Sequence, residues 1–583
     1  MIKRVHTLMK VAAKEDATSG AASAGAGVVV PSPLAPATSK PTAPQRRGSS
    51  WALQDHSTGV PPNGLTLAQF TMFMVDRSFN SIVSAEHQAQ HQPTDRPLSH
   101  YWISSSHNSY LLGDQLASAS SADALRRALS MGCRVVELDT YSVGGRLIIK
   151  HGGTMTSSLD FQEAIQAIAE YAFRPTNIRP STCPVIITME NHCSFDMQGE
   201  QARILREVLG DLLYVPAAEP RAEYPTLGEL MGKVIIRDKP KKSVPPGASA
   251  EGAQDARAAL VAMAETVDEM AEEAGEEDSV AGSSAAGMER PDSARSDATT
   301  ASQKELKKLM HPDLLALVTV PNVKFPGLDK LSTLTFPTSS SFNEDKVEKY
   351  AKRDPAGLLA YTQRHLMRTY PRGTRVDSSN YDPQTAWGVG AQVVALNFQH
   401  DSLPVWKCMG FFTANGGCGY VLKPPSMLST PPTFDPGMAA PGPSSVQVQV
   451  KVISGHYLPK EGGQADTKGE VVDPYVTLAL SGIKADCAMA STKEVRDNGF
   501  NPRWAEQPGS TMRFRVLAPE VAQLFFTVMD KDNIGSDDVL AYGGVPMSAL
   551  QPGYRAVPLF TKRSVPLQHS YLFVHVDISP LSA

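Results

Sequence analysis

Hydrophobic and polar positions change rhythm several times along the chain. Between 97 and 240, short β-rich runs alternate with stretches of helical spacing. CRVVELD (133–139), RLIIKHG (146–152), CPVIITMEN (183–191) and KVIIRDK (233–239) read as strands, and ADALRRALSMG (122–132) and LDFQEAIQAIAEYAF (159–173) as helices. That alternation predicts parallel βα units. It halts at 241 and resumes with LLALVTV (314–320), LLAYTQRHLMRTY (358–370) and AQVVALNF (391–398), ending near GYVLKP (419–424). Two half-sets, 97–240 and 306–424, predict one split barrel rather than two domains. Beyond a Pro-rich hinge (425–443) the helical period disappears. VQVQVKVIS, PYVTLALSG, RFRVL, QLFFTVMD and YLFVHVDIS alternate strictly, predicting an antiparallel β-sandwich over 444–580. Upstream, within 61–96, Thr66 and Gln69 fit a capping box, and Leu67, Phe70, Phe73 and Met74 form one face of a short amphipathic helix expected to pack onto the chain downstream of it.

Composition separates the patterned stretches from two others. Residues 1–60 are rich in Ala, Ser, Pro and Gly and 241–305 in acidic and small residues, so both are expected to be disordered. The net charge of −5 hides their contrast: 1–53 carries seven basic and two acidic side chains, 245–300 three basic and thirteen acidic. The rest is neutral overall, which excludes a nucleic-acid footprint. An insertion as long as 241–305 suggests either a spacer or a regulatory element that anionic membranes repel and that shades the barrel mouth. The chain contains 583 residues, 42% apolar, without an apolar run long enough for a membrane span. Its six cysteines lack CxxC pairing, arguing against zinc and a disulfide framework. The opening segment is too polar for a secretory signal. A soluble, cytosolic monomer is the expectation, with a plastid-type targeting role for the basic N-terminus left open.

The polar residues that interrupt apolar strands carry the chemistry. Glu137 and Asp139 lie two apart in RVVELDT, so a strand points both carboxylates to one side. Glu190 closes VIITMEN, His107 and Asn108 end another run, and His151 ends a fourth. Acids, amides and imidazoles at successive C-terminal strand ends are what a βα-barrel active site requires. Three carboxylates and an amide oxygen form a hard-cation set suited to Ca²⁺ or Mg²⁺, leaving two histidines for proton transfer. Such an arrangement suits phosphodiester cleavage. Each residue has an ordinary explanation when taken singly, and spacing by itself points only to a metal-dependent barrel hydrolase.

LSHYWISSSHNSYLL, GCRVVELDTY and CPVIITMENHCS, followed by YPRGTRVDSSNYDPQTAWGVGAQVVALNFQ and NGGCGYVLKP, closely resemble the X and Y halves of eukaryotic phosphoinositide-specific phospholipase C, of plant-type or delta-like organisation. The resemblance continues into a C2-like sandwich and covers roughly 97–580. It implies a (β/α)8 barrel of the TIM type followed by a C2 domain, and cleavage of phosphatidylinositol 4,5-bisphosphate to diacylglycerol and inositol 1,4,5-trisphosphate through a cyclic phosphate. His107 and His151 would be the catalytic histidines, and Asn108, Glu137, Asp139 and Glu190 the Ca²⁺ ligands, with Glu137 or Glu190 as base. Arg368, Tyr370, Ser341 and Lys239 would hold the headgroup, with Arg237 where animal members commonly carry a second Lys. Asp473, Asn498, Asp530 and Asp532 would line C2 calcium loops completed by anionic lipid. DKDNIG resembles the start of an EF-hand loop, but Ala541 at its twelfth position excludes one.

Departures from the family narrow the expectation. The usual four EF-hands shrink to the helix near 65–75, and no pleckstrin-type domain precedes it. Rim positions that are often aromatic are Gly153 and Thr374 here, with Leu116 and Met155 retained, which predicts weak, Ca²⁺-dependent docking at the plasma membrane. Two other functions stay open: a catalytically silent inositide-binding scaffold, against which the two histidines speak, and a phosphodiesterase of glycerol-based diesters, against which Arg368, Tyr370 and Ser341 speak.

Overall fold

A computed structural model describes residues 66–217, 221–241, 309–460, 471–532 and 535–581, together with 261 and 265. The tail 1–60 and the acidic segment 245–300, Val261 and Glu265 apart, lie outside the described residues. The chain divides into two compact units, Met1–Asn80 and Ser81–Ala583. The first contains helix α1 (Leu67–Val75), which starts on the expected capping box: the Gln69 N–H donates to the Thr66 hydroxyl and the Gln69 side chain accepts from the Thr66 N–H. Its expected apolar face is split. Phe73 and Met74 are half-buried, with Phe73 6.3 Å from the Phe79 ring, whereas Phe70 is exposed.

The second unit opens with a barrel of eight parallel strands. In chain order they are β1 (Tyr101–Ser106), β2 (Val135–Val143), β5 (Val185–Asn191), β6 (Val234–Asp238), β7 (Val318–Pro321), β8 (Ser339–Asn343), β9 (Leu366–Tyr370) and β10 (Val393–Leu396). Short strands β3 (Arg146–Ile149) and β4 (Leu159–Asp160) extend β2, and β11 (Tyr420–Leu422) pairs antiparallel with β1. The sheet runs β7-β6-β5-β2-β1-β10-β9-β8, so every neighbour is also a neighbour in barrel order. A parallel bridge between Asn322 and Ser339 joins its two ends. Helices α2 (Ala122–Ser130), α3 (Phe161–Tyr171), α4 (Phe195–Leu209), α5 (Glu344–Arg353), α6 (Pro355–Arg364) and α7 (Leu403–Phe411) cover the outside. Four of them start on side-chain caps, from Ser121, Asp160, Asn343 and Asp354.

The barrel interior changes character along its axis because side chains on one strand face inward every second residue. Toward the strands' N-terminal ends Ile103, Val135, Ile186, Ile235, Val320, Leu366 and Val393 form a closed apolar cluster. One step further on the same strands stand Ser105, Glu137, Thr188, Arg237 and Arg368, all buried. Apolar layers set the scaffold, and polar layers crowd the C-terminal mouth, where barrels of this kind place their chemistry.

The sandwich is an eight-stranded antiparallel sheet ordered β14-β13-β16-β17-β18-β19-β12-β15. Its strands are β12 (Val446–His456), β13 (Pro474–Ser481), β14 (Ala488–Ser491), β15 (Thr511–Val516), β16 (Gln523–Asp530), β17 (Asp538–Pro546), β18 (Gly553–Phe560) and β19 (Pro566–Pro580). Residues 81–84 add to it. Ile82 N–H donates to the Ala556 carbonyl at 2.9 Å, and Ile82 and Val83 enter the sandwich core. The sequence places nothing there beyond a remnant of a helical lobe. A few residues later, Asn415 near the barrel's other end accepts from the His91 and Gln92 N–H groups, so this short stretch ties both layers together.

Barrel and sandwich meet through α7 and β17. Trp406 stacks on Tyr542 with centroids 5.2 Å apart, and its indole N–H donates to the Lys562 carbonyl at 2.8 Å. Backbones also touch: a Cβ on Gly544 would lie 2.8 Å from Gly410 Cα. Gly544→Val should therefore force the surfaces apart at a cost of about 1–3 kcal/mol. Calorimetry should show a lowered melting temperature, and an unchanged trace would mean the contact tolerates the extra methyl groups.

Candidate active site

The expected residues converge at the mouth. Ligand oxygens of Glu137, Asp139 and Glu190 all lie within 4.8 Å of one another, the one such group of acids, histidines or cysteines found among the described residues. Strand β2 supplies two of them at a spacing of two, and β5, paired with it in parallel register Asp139–Glu190, supplies the third. Glu137 and Asp139 are buried and Glu190 stands exposed at the rim.

Each carboxylate meets a different environment. Burial works against the charge of Glu137, but Arg368 first, then His107 and the Asn108 N–H, outweigh it and hold the carboxyl below its ordinary range. Asn108 N–H donates to Glu137 Oε2 at 3.1 Å, and the Arg368 guanidinium donates to Oε1. Asp139 is pushed far the other way, by burial and then by the negative charges of Glu190 and Glu137. Tyr110 donates its hydroxyl to Asp139 Oδ2 at 2.8 Å, while Oδ1, also buried, finds no partner among the described residues. An unsatisfied buried oxygen between two like charges is what a divalent cation relieves, and the donors are all hard oxygens. The residues present fit a calcium-type ion.

Both histidines point one nitrogen at an acceptor. His107 Nδ1 lies 3.0 Å from Asn397 Oδ1, and His151 Nδ1 lies 2.7 Å from the Gln115 carbonyl. Each Nδ1 is thus the protonated donor and each Nε2 is left for the mouth. Burial lowers the His107 pKa, with Glu137 opposing it and Arg368 adding to it. Asn108 sits in left-handed backbone, φ 41°, which turns the chain sharply at the end of β1.

The expected headgroup residues line the adjoining wall. Arg368 lies over the Tyr370 ring, 5.0 Å from its centroid, and that ring is parallel to His107 at 6.5 Å. Arg237 is buried and donates to Ser339, Asn322 and Ser341, each at 2.8 Å. Three oxygens are held by one fork, which a lysine at this position could not do. Burial, then Arg368, brings its pKa down to about 9. Lys239 follows at the rim, half-buried. Ser341 and Arg368 are therefore already engaged within the protein. Sequence reasoning missed Asn397, Gln115 and Tyr110; they carry no charge and sit in loops and turns where only pairing geometry singles them out.

The sandwich acids are less convergent. Asp530 Oδ1 accepts from the Asp473 N–H and Asp473 Oδ1 from the Asp497 N–H, both at 2.7 Å. Asn498 caps a turn by accepting from the Asn501 N–H, and Asp532 gives its own N–H to Asp537. Asp537 accepts from the Tyr475 hydroxyl and from Lys531. Asp473, Asp530 and Asp532 do not form a group comparable to the barrel triad among the described residues. Ala541 lies buried within β17, in keeping with the absence of an EF-hand there.

Sequence models of known families match in three consecutive blocks. They are the phosphatidylinositol-specific phospholipase C X domain over 94–240, its Y domain over 314–426, and the C2 domain over 446–561. The chain belongs to the phosphoinositide-specific phospholipase C family. A Danio rerio relative named 1-phosphatidylinositol 4,5-bisphosphate phosphodiesterase delta-3-A is 35% identical over 520 residues, covering 88% of this chain and 61% of its own length. A Homo sapiens relative named inactive phospholipase C-like protein 2 is 36% identical over 527 residues, covering 89% and 43%. The crystal structure of L. pealei PLC21 superposes with a TM-score of 0.70 at 27% identity, covering 90% of this chain and 61% of that one. The chain thus spans about 61% of the length of the delta-type relative.

Asp238, between Arg237 and Lys239 in the chain, is a buried carboxyl outside the triad. Burial raises its pKa to about 7, against the Lys239 N–H and Lys241, which lower it. The folded group is protonated below that value while the unfolded one ionises near 3.8. Its contribution is complete below pH 3.8 and is lost as pH rises through 7. Asp238→Asn should flatten the fall in stability between pH 5 and 7 by on the order of 2 kcal/mol. Urea midpoints at the two pH values measure this; parallel slopes for variant and wild type would refute it.

Proposed function

We propose that this chain is a Ca²⁺-dependent phosphoinositide phospholipase C that cleaves phosphatidylinositol 4,5-bisphosphate to diacylglycerol and inositol 1,4,5-trisphosphate. The single observation that carries the reading is the convergence of Glu137, Asp139 and Glu190 together with two histidines whose Nδ1 atoms are held by Asn397 and by the Gln115 carbonyl, which leaves Nε2 for proton transfer. The relatives named as 4,5-bisphosphate phosphodiesterases support the substrate.

Asn108, Glu137, Asp139 and Glu190 would hold the ion. When bound there, calcium supplies positive charge beside the phosphoryl oxygens and the attacking hydroxyl. Glu137 or Glu190 accepts the proton of the inositol 2-hydroxyl as its oxygen bonds to phosphorus. His151 Nε2 delivers a proton to the glycerol oxygen as its bond to phosphorus breaks, and His107 Nε2 steadies the charge on the five-coordinate phosphorus. Water then opens the cyclic phosphate with the proton transfers reversed. Arg368, Ser341, Lys239 and Arg237 bind the ring phosphates, and Tyr370 covers the sugar face. Asp473, Asn498, Asp530 and Asp532 serve a second calcium contact with anionic lipid.

The working place of this enzyme is the cytosolic face of the plasma membrane, reached as a peripheral monomer. No helix of the described residues is long and apolar enough to cross a membrane. Leu116 and Met155 stand exposed near the mouth, and the Met155 N–H donates to the Leu116 carbonyl, so the two segments adjoin. Gly153, φ 69°, occupies left-handed backbone where an aromatic side chain would be strained.

A second reading, a silent inositide-binding scaffold, takes its support from the relative named inactive. The two are separated by headgroup release from inositide vesicles, with and without Ca²⁺. Wild type should release inositol 1,4,5-trisphosphate only with Ca²⁺, and His107→Ala or His151→Ala should lose on the order of 10²–10⁴-fold in kcat. Binding without release in wild type would establish the scaffold. In pelleting assays Met155→Ala should weaken vesicle binding several-fold, and binding that persists equally in chelator contradicts calcium-dependent docking.

A further inference from the structure

Hydrogen bonds around both histidines run through one residue, Gln115, which is buried to 6% exposure. Its Oε1 accepts from Asn108 Nδ2 at 2.8 Å. Its Nε2 donates to Ser378 Oγ at 2.8 Å and to Asn397 Oδ1 at 3.2 Å. Its main-chain carbonyl accepts from His151 Nδ1 at 2.7 Å, and its own N–H donates to the Val376 carbonyl at 2.8 Å.

The directions of these bonds are fixed from outside. Asn397 Nδ2 donates to the Ser379 carbonyl at 3.2 Å, an atom that only accepts, so Asn397 Oδ1 must face Gln115 and His107. The Ser378 hydroxyl donates to the Gly113 carbonyl at 2.7 Å and so accepts from Gln115. Both anchors demand Nε2 on that side of Gln115 and leave Oε1 for Asn108. Asn108 must then present Nδ2 to Gln115, which turns its Oδ1, the atom a hard cation uses, away from Gln115. Ser378 itself holds left-handed backbone at φ 61°, a strain that a fully satisfied network can sustain.

We propose that Gln115 is the positioning residue of this site. It sets the amide orientation of Asn108 and, through Asn397 and its own carbonyl, the ring placement of His107 and His151. Its meaning for turnover rests on the phospholipase C reading above. Its effect on Asn108 does not.

Gln115→Met keeps length and volume and removes both polar ends. Calorimetry on the full chain should then find Ca²⁺ bound about tenfold more weakly. On inositide vesicles kcat should fall with KM within twofold, and the melting temperature should change little. Asn108→Asp supplies the rescue: an aspartate offers oxygen in either orientation, so adding it to Gln115→Met should return Ca²⁺ affinity to that of Asn108→Asp alone. A merely structural role would not be rescued this way. Should Gln115→Met unfold, Ser378→Ala removes one anchor only and should weaken Ca²⁺ binding in the same direction, about twofold. Unchanged Ca²⁺ affinity in these variants, or no rescue, overturns the assignment. Weakened Ca²⁺ binding in a protein whose wild type releases no headgroup would leave it standing and refute the enzymatic reading.

Discussion

Gathering three carboxylates whose oxygens lie within 4.8 Å of one another at the top of a barrel is costly, and the surrounding structure is arranged around that cost. Two of them are buried, and like charges in a medium of low polarity repel strongly. The protein answers with positive charge and directed donors. Arg368 binds Glu137, the Asn108 N–H adds a second donor, and Tyr110 bonds Asp139. One oxygen of Asp139 has no partner among the described residues, and its carboxyl is driven toward protonation. A site in this condition gains more from a divalent ion than the same acids would on an open surface.

The counter-charges are themselves buried and need support. Arg237 and Arg368 both stand in the polar layer, and Arg368 lowers the pKa of Arg237 and that of His107. Arg237 survives by spreading its charge over Ser339, Ser341 and Asn322, the residues at which the ends of the sheet meet. Closing the barrel and holding a cation beside the mouth are thus the same set of contacts. Replacing a Lys with Arg at this position alters more than headgroup geometry, because the fork also stitches β6 to β7 and β8.

Much of this was legible in the sequence because charged and polar residues stand out near the C-terminal ends of otherwise apolar barrel strands. Glu137 and Asp139 on one side of RVVELDT, and Glu190 and the two histidines at strand ends, follow from spacing and the cost of burying charge. The pairing of β2 with β5 that brings Glu190 to Asp139 is the added fact, and it needs the three-dimensional register. Other features leave no local trace. Ile82 and Val83 join the sandwich from far upstream in chain order, and their burial depends on a partner more than 450 residues away. Asn397 and Gln115 are neutral amides whose importance lies in which way they face. Asn498 is polar in a turn, and its cap on the Asn501 N–H depends on local backbone that spacing does not reveal.

The neutral amides also explain how a site built from two chain halves keeps one geometry. Asn108, Gln115 and His151 come from the first half, and Ser378 and Asn397 from the second, on the far side of the acidic segment. Charge pairs between the halves, such as Arg368 with Glu137, attract from many directions and do not fix orientation by themselves. Amides have distinct donor and acceptor ends, so a chain of them transmits direction from one carbonyl to the next. Here that chain is anchored on the Ser379 and Gly113 carbonyls, one from each half. On the proposed reading the carboxylates would set how strongly a cation is held, and the amide chain would decide where the remaining oxygen and the two imidazoles stand around it.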